Sequence, residues 1–117
     1  MMLRKLTAAL LAAAGLALAA QAMAAGGPYL ADRHVARGAT CESCHGVKTP
    51  APGSRVKTEK CLACHGSYEK VAQKTAAMKM NPHDSHLGEV KCTACHKGHQ
   101  KPVLMCNDCH KFDMQPK

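Results

Sequence analysis

The hydrophobic positions of this chain fall into two unequal regions. From Leu6 to Ala20 the sequence is an almost unbroken apolar run, with nothing more polar than Thr7. Arg4 and Lys5 precede it, and the small-residue triplets Ala22-Met23-Ala24 and Met23-Ala24-Ala25 follow. A positive start, a short apolar stretch and small residues at a cleavage point are the three parts of a secretory signal peptide. The competing reading is an uncleaved membrane anchor, but the run is Ala-rich and short for a span of about 20 residues. The expectation is a cleaved signal over residues 1–25 and a soluble periplasmic domain over 26–117, with no membrane insertion after cleavage.

Beyond residue 26 the large apolar residues are sparse, and they are periodic in only one stretch. Between Cys61 and about Lys79, the residues Tyr68, Val71, Ala72, Thr75 and Met78 recur at helical spacing, which predicts a helix ended by Asn81-Pro82. The segment Thr49-Pro50-Ala51-Pro52-Gly53-Ser54 reads as a loop. No run of strands is recognisable. The predicted class is mainly α and irregular, with short helices and loops.

Composition makes that pattern harder to fold. The chain of 117 residues has no Trp, one Phe (Phe112) and two Tyr (Tyr29 and Tyr68), too few to build an apolar core. Domains this small need disulfides, metals or a cofactor to offset chain entropy. Eight Cys and eight His show where that stability comes from, and they exclude an ordinary apolar-core enzyme. The 16 basic residues exceed the 8 acidic ones, and removal of Arg4 and Lys5 with the signal lowers the net charge from +8 to +6. A nearly aromatic-free chain has little on which to stack bases, so nucleic acid is not the expected partner. Most of the charge reads as a solvated lysine-rich surface, with a docking face for an acidic partner as the alternative.

All eight cysteines lie in one element written four times. Cys41-Glu42-Ser43-Cys44-His45, Cys61-Leu62-Ala63-Cys64-His65, Cys92-Thr93-Ala94-Cys95-His96 and Cys106-Asn107-Asp108-Cys109-His110 are each C-x-x-C-H. Two Cys three apart sit about one helical turn from each other, so both thiols can add to the vinyl groups of one haem. The following His then projects its imidazole onto the iron, which is why C-x-x-C-H is read as a c-type haem attachment site. Structural zinc, disulfides and a redox dithiol are the alternatives. None of them requires His after every second Cys. With His at 8 of 117 positions, four such coincidences have a chance of roughly 0.00002. Four covalently attached haem c groups are therefore expected, on Cys41 and Cys44, Cys61 and Cys64, Cys92 and Cys95, and Cys106 and Cys109, with His45, His65, His96 and His110 on the irons.

Four histidines remain: His34, His83, His86 and His99, one for each sixth iron position. That match points to two histidines on every iron. Methionine is the competing sixth ligand, and Met78, Met80, Met105 and Met114 are available, though they also suit packing against porphyrin faces. His99 lies three residues after His96, so if it binds iron it must serve a different haem from the one His96 holds. The segment His83-Asp84-Ser85-His86 can likewise tie two haems together.

These features together resemble the small periplasmic tetrahaem cytochromes c of metal-respiring bacteria, and the tetrahaem domain of flavocytochrome c fumarate reductases. The resemblance runs from His34 to His110. It rests on a His shortly before the first motif, H-x-x-H between the second and third, and C-H-x-x-H at the third. Class III cytochromes c of sulfate reducers differ, with H-x-x-H before the first motif. The resemblance implies a small multihaem fold wrapped around four haems. It also implies His34 opposite His45, His83 opposite His65, His86 opposite His96 and His99 opposite His110, with the assignments of His83 and His86 open to exchange. No counterpart of the flavin domain is present, so no fumarate-reducing site is expected in this chain.

The function expected from this likeness is electron transfer in anaerobic respiration, with no catalytic residues. Two imidazoles per iron leave no open position for substrate and favour low potentials. Expected partners are a membrane quinol dehydrogenase as donor, and a periplasmic flavoprotein or other terminal reductase or an outer-membrane multihaem conduit as acceptor. The protein is expected as a monomer or in transient complexes. The alternatives are a cytochrome subunit feeding a separate flavoprotein reductase, and an enzyme reducing a small oxyanion at one five-coordinate haem.

Overall fold

The computed structural model describes residues 27–117, so the expected signal peptide at 1–25 lies outside the described residues. Five short α-helices and one 3-10 turn follow in order: α1 (Leu30–Val35), α2 (Cys41–His45), α3 (Thr58–His65), α4 (Tyr68–Lys74), α5 (Cys92–Cys95) and the turn Met105–Asp108. No strand occurs among the described residues, in keeping with the helical and irregular class read from the sequence.

Each C-x-x-C-H motif makes a helical turn, but the turns differ. The first is helix α2 itself, started by Thr40, whose Oγ1 accepts from the Ser43 N–H while Ser43 Oγ accepts from the Thr40 N–H. This reciprocal cap satisfies donors that the first turn of any helix leaves unpaired. Gly46, at φ 75°, ends the helix in the left-handed region that favours glycine. The second motif is the last part of α3. The third, α5, stops at Cys95 and leaves His96 extended. In the fourth, only Cys106 to Asp108 are helical, and Cys109 and His110 lie beyond.

The single helix expected from Cys61 to about Lys79 is two helices. Gly66 breaks it at φ 87° and ψ −158°, and Ser67 starts α4 by accepting from the Lys70 N–H. A Cβ at Gly66 would lie 2.9 Å from Lys70 Cδ, so both conformation and space suit glycine there. The helix also ends earlier than expected, at Lys74, where the Asn81 side chain takes over the Ala72 carbonyl, its Nδ2 donating to it while its Oδ1 accepts from the Thr75 hydroxyl. Tyr68, Val71, Ala72 and Thr75 are half-buried as the periodicity predicts, whereas Met78 is exposed.

Helix α3 is the hub of the packing and touches α2, α4 and α5. Two backbone bonds hold the distant segments: Ala31 N–H donates to Gly98 O (2.8 Å), and Val103 N–H donates to Cys95 O (3.0 Å). Val90 N–H donates to the Tyr68 hydroxyl (3.2 Å) and fastens the segment before α5 to α4. No side chain among the described residues is fully buried, and Val35, Val47, Leu87 and Val103 are each about half exposed. Protein side chains alone do not form an apolar core here.

Candidate functional site: four facing histidine pairs

The eight histidines come together as four pairs. Ring centroids lie 6.0 Å apart for His34 and His65, 6.3 Å for His45 and His99, 6.1 Å for His83 and His96, and 6.2 Å for His86 and His110. Direct stacking would bring rings closer. A metal-bound imidazole nitrogen sits about 2.0–2.1 Å from its metal, and its ring centroid ~1.1 Å further out, so two imidazoles across one ion have centroids about 6.2 Å apart. All four pairs have that spacing. Each takes one histidine from a C-x-x-C-H motif and one from outside them, the composition that attachment plus a sixth ligand requires.

Three of the four pairs differ from those the family likeness implied: His34 faces His65 rather than His45, His99 faces His45 rather than His110, and His86 faces His110 rather than a histidine of the second or third motif. The fourth, His83 with His96, is the exchanged assignment left open above. The segment after the third motif runs beside α1, where Ala31 N–H donates to Gly98 O, with His99 facing His45 of the first motif and His34, on α1, facing His65 at the end of α3. His96 and His99 lie in different pairs, and so do His83 and His86.

Local hydrogen bonds set the orientation of several rings. His34 Nδ1 is 2.9 Å from Leu30 O, one turn back along α1. His45 Nδ1 is 3.2 Å from Ser54 Oγ, His83 Nδ1 is 3.1 Å from Thr75 Oγ1, and His96 Nδ1 is 2.9 Å from the backbone oxygen of Lys117. A partner on Nδ1 leaves Nε2 as the nitrogen available for a metal. His110 is braced differently: Phe112 stacks on it at 5.0 Å and 22°. Phe112 is held by two bonds to Asn107, its N–H donating to Oδ1 (2.8 Å) and its carbonyl accepting from Nδ2 (3.1 Å). Ser54, Thr75, Asn81 and the stacking role of Phe112 were not evident from the sequence. Their signal is proximity across loops, which periodicity does not carry.

Two cavities adjoin the pairs. One of about 410 Å3 includes Tyr68, Ala72, Asn81, His83 and Asp84 in its lining. The other, about 330 Å3, is lined by Met78, Lys79, Met80, Phe112, Asp113 and Met114. The methionines expected to pack a macrocycle are thus gathered at one place, except Met105.

The thiols fit attachment better than a bare metal. All eight cysteines are free, and among the described residues no group of three or more His, Cys, Asp or Glu side chains converges as a zinc ion needs. Burial, then the neighbouring Cys92 and Cys44, pushes the Cys61 thiol up to about 11. Burial, then the neighbouring His96, holds His83 below its ordinary value and so favours the neutral ring that a metal binds.

Fold and site together define a multihaem electron-transfer cytochrome. Residues 33–111 match the family model for cytochrome c3, and the chain belongs to that family, whose members carry covalently bound haem c. It is 41% identical over 78 residues to a probable fumarate reductase, Ifc3, of Shewanella frigidimarina, a match covering 66% of this chain and 13% of that protein. It is 38% identical over 55 residues to the cytochrome c-type protein Cgr1 of Eggerthella lenta, covering 44% of this chain and 26% of Cgr1. The solved open conformation of a flavocytochrome c3 fumarate reductase matches with a TM-score of 0.60 and 37% identity, covering 78% of this chain and 16% of that one. The chain thus spans a small part of the reductases it resembles.

Proposed function

We propose that this chain, cleaved of residues 1–25, is a periplasmic electron carrier with four low-potential c-type haems, each held between two histidines. In this reading it receives electrons from a membrane quinol dehydrogenase and delivers them to terminal reductases or an outer-membrane conduit in anaerobic respiration. The observation that supports it most is the common spacing of the four histidine pairs, 6.0–6.3 Å between centroids, which suits one six-coordinate iron in each.

When bound, a haem supplies one-electron chemistry at its iron. The chain's own residues do the rest. The cysteine pairs would hold each macrocycle covalently. The histidines outside the motifs would supply the second protein ligand to each iron, leaving none open to a small oxyanion. Leu30 O and the backbone oxygen of Lys117 can only accept and so fix the proton on Nδ1 of His34 and His96, while the Ser54 and Thr75 hydroxyls occupy Nδ1 of His45 and His83. Residues 83–86 and 96–99 each join two centres through three peptide units, which holds neighbours close without a large core.

Carbon monoxide titration of the reduced native protein tests this reading. No binding at neutral pH is expected; stoichiometric binding to one haem would favour an oxyanion-reducing enzyme instead. The likeness to fumarate reductases favours a second reading, a cytochrome subunit that feeds a separate flavoprotein. Purification of the native protein separates the two: a flavin-containing protein retained in stoichiometric amount supports the subunit role, and its absence supports the free carrier.

A further inference from the structure

Among the Nδ1 contacts, that of His83 is distinctive because its partner is itself locked. Thr75 Oγ1 lies 3.1 Å from His83 Nδ1 and 2.6 Å from Asn81 Oδ1, with Ala72 O at 3.2 Å and Val71 O at 3.4 Å. A hydroxyl has one proton to donate. The short contact with Asn81 Oδ1 takes it, so the Thr75 oxygen accepts, and His83 Nδ1–H donates. Asn81 is fixed in turn: its Oδ1 also accepts from His83 N–H (3.1 Å), and its Nδ2 donates to Ala72 O (2.9 Å). That leaves no freedom to flip the amide. The four residues form a closed set of bonds between the end of α4 and the residues that follow it, and all four are half-buried.

We infer that Thr75, held by Asn81, is a positioning residue: it fixes the tautomer and plane of His83, strengthens that imidazole as a donor, and so lowers the potential of the haem between His83 and His96. The inference rests on the ligation proposed above. A ring that donates a hydrogen bond from Nδ1 is more basic at Nε2 and favours the ferric state. The same bond keeps His83 at 6° to His96, the most nearly parallel pair of the four. Glu69, Asp84 and Glu89 line the cavity beside His83, and their negative charge acts in the same direction.

The test compares Thr75→Val, which keeps the shape and removes the hydroxyl, with Thr75→Ser, which keeps the hydroxyl, in the protein carrying its haems. Individual potentials are followed by NMR during redox titration. Thr75→Val should raise one potential of four, shifting that haem about three- to tenfold toward ferrous at fixed solution potential, where tenfold is 59 mV for one electron. Thr75→Ser should return it close to wild type. A merely structural Thr75 would lower the melting temperature and leave all four potentials unchanged, and that result, or an equal shift of all four, overturns the inference. If Thr75→Val does not fold, exchange of the His83 Nδ1 proton in the wild-type protein decides. Slow exchange with D2O supports the clamp, and exchange as fast as at exposed His99 overturns it. A wild-type protein with no six-coordinate haem at His83 and His96 removes the ligation itself, and this inference with it.

Discussion

Replacing His99 by Ala distinguishes the pairing observed from the pairing implied by family likeness. The structure places the His99 ring 6.3 Å from that of His45 and tilts it by only 11°, so its loss should open the first haem and leave the fourth intact. The interplanar angles give the size of the effect. For two axial imidazoles, the rhombic splitting of the iron orbitals scales with the cosine of the angle between the rings. That factor is about 0.98 at 11° and 0.99 at 6°, but about 0.36 at the 69° of the His34/His65 and His86/His110 pairs. The oxidised wild-type protein should therefore show two classes of low-spin electron paramagnetic resonance signal in equal amounts. His99→Ala should halve the strongly rhombic class, leave the weakly rhombic class at full intensity, and let one equivalent of carbon monoxide bind on reduction. The Ala methyl cannot reach the iron, and His99 is exposed, so the fold should tolerate the change. Intensity lost from the weakly rhombic class would mean that His99 serves the His110 haem after all. No change in either class would remove His99 from the ligand set.

Reduction should reverse the sign of the molecule: with two propionates each, the haems contribute about −1 apiece when ferric and −2 when ferrous, taking the mature +6 to about +2 and then −2. Affinity for a charged partner should then differ between redox states, most visibly at low salt, and equal affinities across a salt series would remove charge as a release mechanism. Production in a reducing cytosol without haem attachment should yield a chain with little fixed structure by circular dichroism, since no side chain among the described residues is buried; a cooperative thermal transition would contradict this. Phe112→Leu should cost about 0.5–1.5 kcal/mol of stacking on His110. It should lower the thermal midpoint and alter only the His86/His110 signal, and an unchanged spectrum would show that Phe112 does not set that ring plane.

The sequence carried the chemistry more fully than the geometry. Spacing within C-x-x-C-H is local, so four attachment turns could be read directly, and so could the count of spare histidines. Which spare histidine meets which motif depends on the path of the chain, and that path, which brings Gly98 beside Ala31, has His99 facing the first motif rather than the last. Family likeness supplied the composition of the pairs without that path. The helix from Cys61 to Lys79 was overextended because its apolar spacing continues across Gly66, although Gly66-Ser67 is itself a stop followed by a cap. Thr75 could be placed on the inner face by periodicity, but its bonds to Asn81 and His83 arise only once the chain turns back after α4.

Intact mass under denaturing conditions tests the central claim most directly, because thioether bonds survive unfolding and metal–ligand bonds do not. The protein exported from a host that attaches haem should have the mass of the mature chain plus four haems, an increase of about 2.5 kDa. A mass equal to the polypeptide alone, or to the polypeptide less the hydrogens lost to disulfides, would contradict the account.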